Sequence, residues 1–461
     1  MENFGDFTFE GQDGDNPSHD YTWNTKYVAY QEGIYLGYRY YETRYEDSVL
    51  KRGNANGTAG VKAGNGNWMY TDEVAYTFGY GLSYTTFEYS DYKVNKKGED
   101  YEISVTVKNT GGKEGKEAVQ IYLQKPYTEY DKQNKIEKSS VELVGFAKTK
   151  TLTPGDRDIL KITVKAEEFK TYDSYGKKTY ILEAGDYYLA AGRNAHDALN
   201  NILAKKGKTT ADGMDYNGSD KLVQKIVVGA DDYEKYSKTS ATGYKVTNLF
   251  DDADINLYEG TSQQKIIYLS RNDWQGTYPK PVLMKLSSKI KEDMAYGVEP
   301  EVRAGDEMPS YGKTSEKYGH INLVSMMEVD YYDTEKWDAF MDQTTWEEQV
   351  ILVTTGSHRI KGIASVGAPE GLNNNGPSGL NQPNPKLGSV MAFPSEVNLA
   401  QTFNTELVYK VGDAFGMEMM HAKHTSLNGL GADLHRTAYS GRNWEYYSED
   451  AYDRSNALRS V

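Results

Sequence analysis

The 461-residue sequence contains no cysteine. This absence excludes a disulfide framework and any thiolate-bound zinc centre, and a cytoplasmic location is expected, since a reducing compartment demands no disulfides. Long apolar runs are missing as well: no stretch of about 18 apolar residues occurs, so no membrane-spanning helix is expected. The opening residues, MENFGDFTFEG, carry neither a basic start nor an apolar run, and no secretion signal is read there. Positive charge is scarce, with 52 Lys and Arg against 67 Asp and Glu and a net charge of -15. Such a surface repels polyanions, which argues against nucleic acid and anionic membrane as main partners and leaves a neutral ligand open. The glycine-rich stretch Asn54 to Asn67, NANGTAGVKAGNGN, lacks the Gly-Lys-Ser/Thr ending of a phosphate loop.

What is present is β-rich and aromatic. The length allows two to four domains, and 38% hydrophobic residues is low for a globular chain yet above the disordered range. Tyrosine occurs 40 times, which fits either strands or surfaces that stack on flat ligands. Residues 1–88 open with a glycine- and aspartate-rich loop (residues 5–20) and a tyrosine-rich run, Tyr27 to Tyr41, whose period does not decide between strand and helix. Residues 89–203 change rhythm. Tyr101 to Lys108 alternates, Asn109-Thr110-Gly111-Gly112 turns, and Ala118 to Leu123, Glu142 to Phe146, Asp158 to Val164 and Gly185 to Gly192 follow at short spacing, the pattern of an antiparallel β-sandwich. Residues 204–332 are polar and read as a bridge. Within it Asp252, Asp254 and Asn256 imitate the start of a calcium loop but lack its glycine and closing glutamate.

Residues 333–461 alternate helix and strand, as a β/α barrel requires. Thr344-Thr345-Trp346-Glu347 has capping-box form and leads into a stripe of Trp346, Val350 and Val353. Asn404-Thr405-Glu406 opens a second helix with Leu407, Val411, Phe415 and Met419 near four-residue spacing. On that helix Glu418 and His421 form half of a carboxylate-bridged metal motif whose second half is absent, so a solvated helix face is expected and no metal site. His435 to Asp450, HRTAYSGRNWEYYSED, places Arg442 among Trp444, Tyr446, Tyr447 and several carboxylates. A guanidinium beside aromatic rings suits a sugar, whose hydroxyls take bidentate donors and whose faces stack; an exposed loop with Arg442 paired to Glu445 or Glu449 is the other reading.

This segment resembles the signature of family 3 glycoside hydrolases, the β-glucosidase family. Gly376-Pro377-Ser378-Gly379-Leu380 resembles that family's Asp-Gly-Pro loop, and EGIYLGYRYYET (Glu32 to Thr43) with FGYGLSYTTF (Phe78 to Phe87) resembles the run between its α/β sandwich domain and its fibronectin type III-like domain. The resemblance implies a multidomain α+β chain: the tail of an α/β sandwich domain and connector (1–88), a fibronectin type III-like β-sandwich (89–203), the polar bridge (204–332) and the first part of a (β/α)8 barrel (333–461). That order is the family's inverted one, and it implies a chain cut at both ends. It further implies retaining hydrolysis of β-glucosides without metal or organic cofactor. Arg442 would hold sugar hydroxyls, and Asn375 would stand where the family has an aspartate. The nucleophile and the acid/base would fall beyond Val461 and before Met1, so no catalytic residue is assigned here. SRNDW (Ser270 to Trp274) superficially resembles the nucleophile's context, yet it precedes the barrel and Asp273 is set aside. The expected partner is a β-glucoside or oligosaccharide, with a homo-oligomer or complementing chain as a further expectation. A non-catalytic glycan-binding or scaffolding protein built on the fibronectin-like domain is the alternative.

Overall fold

A computed structural model describes residues 6–10, 26–61, 66–249, 256, 266–280, 282–285, 310–355, 359–381, 390–436 and 440–453. The stretch expected to open as loop instead begins with strand β1 (Asp6–Glu10), which the alternating DFTFE supports and which pairs antiparallel with β2 (Lys26–Tyr30). Residues 11–20 of that loop, Asp252, Asp254 and the stretch after Asp453 lie outside the described residues. The tyrosine-rich run resolves into β2, a turn and helix α1 (Tyr38–Val49).

Helix α1 buries charge on nearly every side. Glu42, Arg44, Glu46 and Asp47 are each at most 2% exposed, and an uncompensated buried ion would cost several kcal/mol. Each is compensated. Arg44 donates to the Ala55 and Gly57 carbonyls at 3.0 and 3.1 Å and to the Tyr40 hydroxyl at 2.6 Å. Asp47 accepts from Arg271 at 2.6 and 3.2 Å and from the Trp274 indole at 3.1 Å. Glu46 takes Lys206 at 2.7 Å and Arg271 at 3.3 Å. The helix is thus formed by tertiary pairing more than by the propensities of its tyrosines. Short helix α2 (Tyr70–Glu73) packs beside it, with Tyr70 against Tyr45.

The sandwich follows the alternation read from sequence. One sheet holds β3 (Phe87–Lys97), β4 (Asp100–Asn109) and, after β5 (Ala118–Gln124), helix α3 (Glu129–Asn134) and β6 (Glu142–Lys148), the third strand β7 (Arg157–Val164). Alternate residues of β7 point inward, Leu160, Ile162 and Val164, and meet Ile103, Val105, Val119, Ile121 and Leu123 in one core. A small hairpin, β8 (Thr171–Asp173) with β9 (Thr179–Ile181), leads to β10 (Gly185–Gly192) and helix α4 (Ala195–Lys205), capped by Asn194 accepting from Asp197 N. Strand β11 (Val223–Val228) completes the second sheet in the order β11-β10-β5-β6. The sandwich therefore extends past residue 203: β11 belongs to the stretch read as a polar bridge because, at the edge of the sheet, it presents polar or exposed positions such as Gln224 and Lys225 to solvent. Strand β12 (Val282–Lys285) returns to pair parallel with β1.

The C-terminal part carries α5 (Thr334–Met341), α6 (Trp346–Thr354), β13 (Arg359–Ile360), β14 (Gly371–Asn375), α7 (Glu396–Ala400), α8 (Thr405–Ala422), β15 (Ser426–Asn428), β16 (Gly431–Leu434) and β17 (Tyr446–Ser448). β14 runs parallel to β15 and β16 parallel to β17, in open sheets of three and two strands. These open parallel pairs are consistent with part of a barrel, and no closed cylinder occurs among the described residues. The capping box of α6 forms between Thr345 and Glu348, 3.2 Å one way and 2.9 Å the other. Its apolar stripe stays outside the core: Trp346, Val350 and Val353 are all exposed. On α8, Val408, Phe415 and Ala422 are buried. The sandwich and this part meet at an aromatic junction, where Phe403 lies edge-on to Phe146 at 5.3 Å and to Phe78 at 6.2 Å.

Candidate functional site

The parallel pairing of β14 and β15 sets Asn375 opposite Asn428 at the carboxyl ends of both strands, where loops rather than ladder bonds continue the chain. In β/α architectures that end is where sites are built. Asn428 donates from its amide to Asn375 Oδ1 at 2.8 Å. Behind this pair Asn374, 3% exposed, accepts from Asn381 N at 2.9 Å, and Asn381 N also donates to the Asn375 carbonyl at 2.8 Å. The loop between them turns tightly at Gly376, φ 148°, where a Cβ would lie 1.8 Å from the Gly379 carbonyl oxygen. Only glycine fits this turn.

A cleft of about 920 Å³ opens over these strand ends, lined by residues 375–381 on one side and by Asp433, Arg442, Trp444, Glu445 and Tyr446 on the other. Asn375 and Arg442, chosen from sequence, face the same cavity. Both readings of the arginine meet here. Its guanidinium pairs with Glu445, which holds it further above its ordinary range, while its side chain remains 74% exposed. Trp444 is half exposed beside it. The wall is therefore a charged planar donor, an indole and a phenol around open space, and the opposite rim is a row of amides.

A carboxyl group that sequence inspection missed lies under the floor. Glu396, in the first turn of α7 and 1% exposed, accepts from the Gly431 amide at 2.7 Å through Oε2, while its buried Oε1 finds no hydrogen-bond partner among the described residues. Burial, with the Glu445 charge adding, pushes it up to about 7. Nothing in the string FPSEVNLAQTFN marks it, because its character comes from neighbours 35 or more residues away.

The decoys have structural occupations. Arg271 and Trp274 of SRNDW are buried against α1, and Asp273 closes a turn by accepting from Asn54 at 2.7 Å and from Gly276 N at 2.9 Å. Asn256 clips Ile266 at 2.7 and 2.8 Å. Glu418 accepts from the Met391 amide at 3.0 Å. Among the described residues, no group of three or more His, Asp or Glu is arranged to hold a metal, and no helix is long and apolar enough to cross a membrane.

Comparison with known proteins places these features in context. The Fibronectin type III-like domain family matches residues 117–195, within the sandwich. The chain is 28% identical to Beta-glucosidase A of Butyrivibrio fibrisolvens over 96% of its own length and 49% of that protein, and 27% identical to a Beta-glucosidase of Ruminococcus albus over 95% of its length and 38% of that protein. It superimposes on a β-glucosidase structure from Paenibacillus barengoltzii with a TM-score of 0.58 and 23% identity, covering 94% of this chain and 41% of the other, which shows a shared fold. The chain thus spans about half, or less, of the relatives it matches. Along nearly its whole length the chain is similar to β-glucosidases, it carries a fibronectin type III-like domain where the strands had indicated one, and it shares the fold of a β-glucosidase structure.

Proposed function

We propose that the chain provides the sugar-gripping cleft of a β-glucosidase-type glycoside hydrolase acting with retention on β-glucosides. The observation that carries this reading is the shared cavity of Asn375 and Arg442, with Trp444 and Tyr446 on the same wall. A pyranose there meets a guanidinium for adjacent hydroxyls, amides that both donate and accept, and rings for its C–H face.

Retaining hydrolysis requires two carboxyl groups about 5 Å apart, one attacking and one exchanging the proton. Among the described residues lining the cleft, the carboxylates are Asp433 and Glu445, and Glu445 is engaged by Arg442. Our reading therefore assigns binding to this cleft and assigns the nucleophile and acid/base to groups outside it.

Calorimetry with glucose and turnover of an aryl β-glucoside test the two halves separately. Glucose should bind the chain, Arg442→Ala should abolish that binding, and nitrophenol release should stay near the buffer rate. Failure to bind glucose, or indifference to Arg442→Ala, overturns the binding half; enzyme-like turnover overturns the assignment of catalysis elsewhere. Binding that favours long glucans and ignores Arg442 would instead support a scaffold built on the sandwich.

A further inference from the structure

The wall of the cleft is held from the other end of the chain. Beyond Arg442, Trp444 and Glu445 the backbone enters β17 and then reaches Glu449 and Asp450, which lie on the start of α1 rather than within the barrel part. Glu449 Oε1 accepts from the Tyr38 amide at 2.9 Å. The residue before it, Gly37, caps α1 with no side chain of its own, at φ 56°, and a Cβ there would lie 2.3 Å from the Glu449 carboxyl carbon. Glu449 is therefore the helix cap supplied in trans, a carboxylate at the positive end of a 12-residue helix.

Asp450 is fully buried and serves both sides. Its Oδ2 accepts from the Tyr38 hydroxyl at 2.7 Å and from Arg39 at 3.3 Å. Its Oδ1 accepts from the Tyr452 and Asp453 amides at 2.9 and 3.0 Å, fixing the turn that follows. The Tyr38 hydroxyl in turn accepts from Leu143 N of β6 at 3.0 Å, and its ring stacks on Phe78 at 4.5 Å. Arg39 also faces Glu142 at 3.9 Å. Sandwich, connector and cleft wall thus meet at two consecutive residues.

We propose that Tyr38 and Arg39 are positioning residues for the sugar-facing loop 440–448, acting through Asp450 and Glu449. The link to sugar affinity rests on the proposed function above; the ordering of the loop does not. The loop presents a largely exposed arginine and a half-exposed tryptophan ahead of buried Tyr447 and Ser448, and charge-assisted hydrogen bonds at its far end add restraint to that burial.

The test is amide hydrogen exchange on the whole chain, with glucose calorimetry run in parallel. Tyr38→Phe keeps the ring and removes the hydroxyl, and Glu449→Ala removes the cap. Each should speed exchange across residues 440–448 by about tenfold, the factor that about 1.4 kcal/mol corresponds to, while strands β4, β5 and β10 keep their protection. Glu449→Gln, which can still accept from Tyr38 N, should restore slow exchange. Glucose affinity should fall with Tyr38→Phe without a matching loss of thermal stability. Unchanged exchange at 440–448, or faster exchange spread through the sandwich, overturns the proposal. If the loop loosens as stated but the unaltered chain binds no glucose, positioning stands and the sugar reading fails.

Discussion

Both ring nitrogens of buried His196 face carboxylates: Nδ1 lies 2.7 Å from Glu42 and Nε2 2.8 Å from Asp215. Two carboxylate acceptors require two N–H donors, so the ring is an imidazolium, stacked on Tyr70 at 4.0 Å and 10°. Burial alone would lower its pKa, but the two carboxylates outweigh it and hold it up to about 10, while the same contact draws Asp215 down to about 2 against its own burial. Around the ring stand Glu42 of α1, Asp215 and Tyr216 from the turn after α4, and the Tyr45 and Tyr70 rings, with Tyr45 also donating to Asp215 at 2.7 Å. A rise from 6.5 to about 10 corresponds to about 4–5 kcal/mol at about 1.4 kcal/mol per pH unit. The sign follows from the charged form being the one stabilised: the contribution is complete below pH 6.5 and disappears as pH climbs through about 10. The assay compares urea unfolding of the chain with that of His196→Gln between pH 6 and 10.5. At pH 6 the variant should be about 3–5 kcal/mol less stable, the cost of breaking a buried ion pair. At pH 10.5 the gap should shrink to about 1 kcal/mol, a neutral hydrogen bond's worth. A difference that does not change with pH, or an imidazole resonance titrating near 6.5, would refute the reasoning.

Three further outcomes are expected. Asn375→Asp adds a charge at a position where Asn428 already donates, and it should strengthen glucose binding by about 1–3 kcal/mol in calorimetry; unchanged or weaker binding would remove Asn375 from the grip. Arg271→Met leaves Asp47 and Glu46 buried with less compensation and should cost about 3–5 kcal/mol, seen as a lowered melting temperature, whereas a neutral result would mean that the segment 266–280 is held by Trp274 alone. On α6, Val350→Lys together with Val353→Lys should convert a self-associating chain into a monomer by sedimentation velocity, because the face they share with Trp346 is exposed and apolar; a parent chain that is already monomeric at high concentration would defeat this.

The sandwich strands could be read from the sequence because their information is local. Residues alternate with period two and are closed by turns such as Asn109 to Gly112, so β4, β5 and β10 begin within one residue of where the pattern places them. Strand β11 escaped because an edge strand needs only one apolar face, and its VQKIVV follows a polar stretch. Helix α1 escaped for a different reason. Its glutamates and arginine look like surface, and become core only because Arg271 and Lys206 arrive from more than 150 residues away. The capping box of α6 was legible one residue early, Thr344 to Glu347 where Thr345 and Glu348 form it, but what covers a helix stripe is tertiary, and here nothing among the described residues covers Val353. At the cleft, Arg442 and Asn375 stood out by motif, whereas Glu396, Glu449 and Asp450 act through partners that no local window contains.

The same distinction explains which portion of the barrel part is firmly seated. A barrel strand normally has a neighbour on each side and a helix outside it, so an open β14–β15 or β16–β17 pair should be poorly held. The pairs nearest the cleft escape this because other elements substitute for missing neighbours. Leu399, Val408 and Tyr447 form one small core behind β17, and Leu380, Phe415 and Ala422 another behind β14 and β15. Phe403 then carries α7 and α8 into the main aromatic junction, and Lys148 of β6 donates to the Thr402 carbonyl at 2.6 Å. Among the described residues, those around α5 and α6 pack into their own cluster of Ile321, Met326, Phe340 and Val366. Order in the C-terminal part is therefore lent by the sandwich across Phe403 and Tyr38, and it is strongest where the cleft wall begins.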